Sequence, residues 1–219
     1  MGDTLGTLRT KLAYRLGDSS APSDSATISQ RDAWLNEGYR DMQMRQNWWW
    51  QEETSIANTN DGTADYTEPT DLKDWIELKI SDVFYVRIPY QDNQLYQNTI
   101  GVVTIPSLRR SYKFYTFDGT YNLIPTPGND AAVHYIKYYK IGADLSSTSD
   151  EPIIPNEYRH ALLAYAEARY WTSIVQQDKA VAPFQEYEQI IKEMQKRHSM
   201  RGGGAGYRIY DPEDVLVRT

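Results

Sequence analysis

The chain has 219 residues, 23 of them Lys or Arg and 30 Asp or Glu, for a formal net charge of −7. Apolar residues make up 40% and charged residues 24%, enough to bury a core and too balanced for a disordered polymer. The lack of cysteine excludes disulfides, thiol nucleophiles and iron–sulfur ligation; the acidic balance disfavours nonspecific nucleic-acid binding; and no run approaches the ~20 apolar residues of a membrane helix.

Leu5, Leu8, Leu12 and Leu16 recur at spacings of three and four, which predicts a helix that Gly17 can end. The Ser-rich run 18–25 reads as a loop, Ser29 as the N-cap of a second helix, and Trp34, Leu35, Tyr39 and Met42 as its buried face. That helix runs to Trp48-Trp49-Trp50. Three consecutive tryptophans cannot all face one core, so at least one is expected to pack elsewhere.

Residues 51–150 lose helical periodicity and hold ten of the eighteen tyrosines, side chains with an apolar body and a polar tip that suit interfaces. Ile76, Leu78 and Ile80 alternate with Glu77 and Lys79 as a half-buried strand, read as continuing through Val83 to Val86. Asp118-Gly119 between 112–117 and 120–124 predicts a hairpin, and 133–139 another strand. Helix returns after Pro155 with Asn156 as cap and Leu162, Leu163, Ala166, Tyr170 and Ile174 as its stripe. Asp178 is the next candidate cap, followed by the stripe Phe184, Tyr187, Ile191 and Met194, with Pro183 tolerable only in the first turn.

The fold class is therefore α+β. Helices 1–2 (1–50) and helices 3–4 (151–200) form a four-helix bundle, with a Tyr-rich antiparallel β-module inserted at 51–150. A flexible, extended C-terminal arm follows at 201–219. Gly202, Gly203, Gly204 and Gly206 form its hinge. Tyr207, Arg208, Ile209, Tyr210, Val215, Leu216 and Arg218 are its candidate binding residues, since alternating side chains suit strand addition to a neighbour.

Little in this sequence points to chemistry. His134, His160 and His198 are scattered, and no nucleophile-elbow, zinc or calcium-loop spacing occurs. The expectation is no catalytic residue, no metal and no cofactor. Nine acids lie between 51 and 82 against Lys73 and Lys79, a solvated acidic face by default, although paired carboxylates could cleave a glycosidic bond.

The segment WLNEGYRDMQMRQNWWWQEETSIANT resembles the asparagine-containing second helix of tailed-phage head-to-tail adaptor proteins. The segment YNLIPTPGNDAAVHYIKYYKIGADLSSTSDEPIIPNEYRHALLAYAEARYW resembles their strand–turn–strand passage into the third and fourth helices. The ending GGGAGYRIYDPEDVLVRT is similar to the tail of the tail tubular protein A type. The resemblance implies a structural protein of the virion neck, assembled in the host cytoplasm. It implies a ring, usually of twelve copies, beneath the portal protein, extending a channel through which genomic DNA passes as cargo and offering a platform to a tail tube or nozzle protein. Two other readings stand beside it: a muralytic accessory protein that cleaves peptidoglycan, and a glycan- or protein-binding module using the Tyr-rich face.

Overall fold

The structure is a computed structural model that describes residues 2–20, 22–93, 112–128 and 130–202. The chain divides into a helical unit, residues 1–49 and 144–219, and a β unit, residues 50–143.

In the helical unit, α1 (Leu5–Arg15) is capped by Thr4 and buries Leu5, Leu8 and Leu12 along one face. It ends in a Schellman turn: Gly17, at φ +89°, donates to the Tyr14 carbonyl, and Asp18 donates to that of Ala13. Leu16, predicted on the buried stripe, is the C-cap and only half-buried. Helix α2 (Ser25–Met44) starts a turn before the predicted Ser29, because Asp24 adopts the extended cap conformation and its carboxylate accepts from Thr27 N–H at 2.8 Å.

Helices α3 (His160–Ser173) and α4 (Gln177–Gly202) complete the unit. Asn156 opens a 3-10 turn instead of capping α3, and its side-chain oxygen accepts from Asp3 N–H at 3.1 Å. Asp178 lies in the first turn of α4, not before it. Pro183 stands in the interior of α4, against expectation. Tyr187, Ile190, Ile191 and Met194 are buried further along, and their burial outweighs the hydrogen bond that Pro183 cannot make. Two residues of the predicted stripes face outward: Phe184, 47% exposed, and Ile174, which lies past the end of α3.

Buried polar groups fasten the halves of this unit together. Asn36 on α2 donates its amide to the Leu145 carbonyl at 2.9 Å and accepts from Leu145 N–H at 2.8 Å. Tyr39 OH accepts from Ile153 N–H at 3.1 Å. The Arg159 guanidinium, 7% exposed, donates to the carbonyls of Ile154, Pro152 and Asp3. Arg15 joins α1 to Glu167 on α3 at 2.7 Å and to Glu186 on α4 at 2.5 Å. Gly38 lets α2 and α3 approach closely, since a Cβ there would stand 2.9 Å from the Tyr165 ring.

Among the described residues, the strands of the β unit form one sheet in the order β1-β7-β3-β4-β5-β6-β2. Its strands are β1 (Glu52–Thr59), β2 (Asp65–Thr67), β3 (Leu72–Ile80), β4 (Val83–Arg87), β5 (Lys113–Phe117), β6 (Thr120–Ile124) and β7 (Val133–Lys140). All pairings are antiparallel except β4–β5, which is parallel. The Asp118-Gly119 hairpin forms as predicted, with φ +49° and +73°. Ser81-Asp82 makes a second positive-φ turn, at +46° and +65°, so Val83–Arg87 folds back on β3 instead of prolonging it. The sheet curls until its edges meet: Asn58 on β1 donates to the Thr67 carbonyl on β2 at 3.1 Å.

Removing the Asn36 amide strands the buried Leu145 N–H and C=O. Asn36→Ala is expected to cost about 3 kcal/mol in urea unfolding followed by helical circular dichroism. A loss under about 0.5 kcal/mol would show that the fastening is dispensable.

Candidate functional site

The three histidines occupy three unrelated environments. His160 is exposed at the start of α3. His198, on α4, stacks on Trp49 at 5.8 Å with Trp48 edge-on at 6.0 Å. Trp48 is fully buried and donates its indole N–H to the Met42 carbonyl, while Trp49 and Trp50 are half-buried, so the triplet splits as three consecutive residues must.

His134, on β7, is fully buried. Its Nδ1 accepts from Tyr121 O–H at 2.6 Å, and its Nε2–H donates to Asn60 Oδ1 at 2.7 Å. Asn60 spends its amide N–H on Asp130 at 2.6 Å, and Tyr121 oxygen accepts from Asn58 at 3.0 Å. Each member has its partner only if His134 is neutral and protonated on Nε2. Burial lowers its pKa from the ordinary 6.5 to about 4, the nearby Asp61 and Asp130 opposing only in part. The ring is held on both nitrogens by neighbouring side chains, the arrangement of a structural histidine.

The acids of 51–82 are largely taken up in the same way. Glu52 pairs with Lys137 at 3.2 Å, Glu53 with Lys140 at 2.8 Å, Asp74 with Arg87 at 3.5 Å and Asp82 with Lys79 at 2.7 Å. The ammonium partners hold the Glu53 and Asp82 carboxyls below their usual range. Asp71 accepts from Tyr138 O–H at 2.8 Å, Asp61 from Tyr66 O–H at 3.2 Å and Glu68 from Trp75 N–H at 3.2 Å. Tyr66, Tyr121 and Tyr138 therefore belong to the β core, beside Leu78, Ile80, Phe114 and Ile136, with their hydroxyls satisfied. In Glu53, Asp61 and Asp82 such bonds favour the charged form, the wrong state for a general acid. Among the described residues no group of three or more acids or histidines could hold a metal.

What the units do offer is surface. Registered pairs place Ile56, Tyr135, Lys79 and Phe84 in one row across β1, β7, β3 and β4. Ile56 is 65% exposed and Phe84 58%, and Val86 continues the row. Tyr90 stacks on Phe117 at 4.5 Å nearby on β5. In the helical unit, a groove of about 320 Å³ between α3 and α4 is lined by Tyr165, Ala168, Arg169, Thr172, Val181 and Phe184. Neither surface follows from the sequence: strand alternation is visible there, but not which face stays uncovered, and helical spacing places Phe184 inside.

The predicted hinge begins where α4 ends, at Gly202. Gly203, Gly204 and Gly206, and the arm residues Tyr207, Arg208, Ile209, Tyr210, Val215, Leu216 and Arg218, lie outside the described residues.

The chain is thus a helical unit interrupted by a β unit, with apolar side chains such as Ile56, Phe84 and Phe184 set on open faces. The family comparison gives this arrangement its class. The model described as SU10 adaptor protein matches residues 3–208, and the chain belongs to this family of phage head-to-tail adaptors. It is thus a structural component of the virion neck that associates with other head and tail proteins. No curated protein matches the chain.

The His134 network makes stability depend on pH with a definite sign. Between about 6.5 and about 4 the unfolded histidine binds a proton that the folded one refuses. Stability of the β unit should therefore fall as pH drops through that window, by up to about 1.4 kcal/mol per pH unit, and the fall should be absent in His134→Gln. Urea midpoints at pH 7, 6, 5 and 4.5 check this. Equal slopes in both proteins would remove His134 as the cause.

Proposed function

We propose that the chain works as a head-to-tail adaptor by forming a ring, of twelve copies, beneath the portal protein. The ring extends the DNA channel and gives a tail tube or nozzle protein its platform. The observation that carries this reading is the family match, which spans both units and ends within the arm. The exposed row Ile56–Tyr135–Phe84 supports it, because soluble surfaces seldom set aligned apolar side chains in water without a partner. The net charge of −7 supports passage of DNA over adhesion to it.

The arm is the tether in this reading. Tyr207, Ile209, Tyr210, Val215 and Leu216 supply apolar side chains and Arg208 and Arg218 charge, suited to ordering on the portal or on a neighbouring copy, while Gly202–Gly206 gives it reach. Polypeptides of this composition have too few apolar groups to fold alone and enough to fold against a partner.

A chain ending at Arg201 should keep its helical circular dichroism while its binding to portal, followed by sedimentation, weakens at least about a hundredfold, the loss of roughly 3 kcal/mol. Undiminished binding by the shortened chain would show that the tether lies elsewhere.

A further inference from the structure

We propose that in the free chain the apolar end of the arm, Val215-Leu216-Val217, docks back into the α3–α4 groove of the same molecule. The inference rests on the reading of the arm as a tether and gives it a resting place.

The groove has the character of an unfilled seat. Val181 and Phe184 present half-exposed apolar side chains on α4, facing Ala168 and Thr172 of α3. In the α3–α4 connection, Val175 sits at φ +62° and is 83% exposed, a β-branched residue in the left-handed region with its side chain in water. Two cations lie on this side of the unit. Arg169 lines the groove and reaches Glu37 at 3.0 Å; Lys179, in the first turn of α4, lies 4.6 Å from the centre of the Trp171 ring.

The arm complements it in sequence and in length. Asp211, Glu213 and Asp214 directly precede Val215-Leu216-Val217, so an apolar run arrives with acids beside it, matching a groove that Arg169 lines. Phe184 lies eighteen residues before Gly202 on α4, about 27 Å back along the helix at ~1.5 Å per residue. The first apolar pair of the arm, Ile209-Tyr210, lies seven and eight residues from Gly202, a fully extended span of about 25 to 28 Å that leaves nothing for a turn at the hinge. Thirteen residues separate Gly202 from Val215 and can span about 45 Å, which leaves slack for the turn at the hinge. Of the two apolar runs, the last is the one that reaches the groove with slack to spare. A linker of this length holds the run at an effective concentration in the millimolar range, so a weak apolar contact suffices in one molecule where it would fail between two. Binding of the arm to a partner then has to displace it, which keeps free chains from adhering to one another before portal is met.

The chain has no cysteine, so cross-linking gives a clean test. Val181→Cys with Leu216→Cys is compared with Met44→Cys with Leu216→Cys, in dilute full-length protein under mild oxidation. Met44 is 62% exposed at the end of α2, whose Met42 carbonyl binds Trp48, the ring that touches His198 near the end of α4. A freely sweeping arm would therefore find a thiol introduced at Met44 at least as fast as one introduced at Val181. The expected result is an intramolecular disulfide that forms about tenfold faster in the Val181→Cys pair than in the Met44→Cys pair. Adding Val215→Asp and Val217→Asp, changes that lie on the arm and leave the bundle untouched, should abolish the advantage. Equal rates at the two sites, disulfide-linked dimers alone, or an advantage that survives the two aspartates would each overturn the docking. Portal binding by the chain ending at Arg201 tests the tether separately and does not depend on these rates.

Discussion

The helical unit is discontinuous: the chain leaves it after Trp49 and returns at Asp144, and the bundle exists only if the returning strand is caught in register. Asn36 does the catching by reading both backbone groups of Leu145. A side-chain amide carries an uncharged donor and acceptor side by side, which matches the N–H and C=O of one residue, and burial makes loss of either bond costly. From this fixed point the following segment is laid down by Tyr39 at Ile153 and by Arg159 across Pro152, Ile154 and Asp3. The β unit meets the same constraint from its own side. Its first and last strands pair from Glu52↔Tyr139 onward, so the insertion delivers its two ends side by side. Closing a free loop of some ninety residues would cost roughly 4 kcal/mol of chain entropy beyond a constant. A sheet whose ends already meet spares the bundle most of that.

Polar chemistry in this molecule is spent on structure. Tyrosine hydroxyls, carboxylates and the neutral imidazole of His134 satisfy one another inside the β core, and arginines bridge helices. Such arrangements are costly to leave half-made, which favours one arrangement over its near competitors. An adaptor needs this kind of rigidity, since its surfaces must repeat faithfully from copy to copy.

Much of the fold was legible where local signals and burial agree. Leu5, Leu8 and Leu12 have helical spacing and a buried partner face; Asp118-Gly119 supplies both positive-φ positions of its turn. The sequence misleads where tertiary packing overrides the local signal. Ser81-Asp82 turns without glycine because flanking strand pairing holds it, and its one local signal is Asp82, a residue type that tolerates positive φ. Pro183 stays within α4 because burial beyond it is strong. Phe184 fits the apolar period yet stays half in water, since Ala168 and Thr172, which share its groove from α3, are too small to close over it. The tyrosine excess carries both meanings at once: Tyr66, Tyr121 and Tyr138 are core, while Tyr90 and Tyr135 are surface. Composition cannot separate them, because the same side chain satisfies both environments. The arm was legible as a candidate from its glycines and apolar runs alone, and the groove that suits it was not, because a groove is a property of two helices.

The central claim is that this chain is a ring-forming adaptor whose partner is the portal. The most direct measurement is the native mass of the purified chain alone and after mixing with purified portal assemblies. The account predicts that portal takes up the chain to a fixed, saturating number of copies, twelve per portal ring. Portal and chain that each keep their own separate masses after mixing, at concentrations well above micromolar, would contradict it.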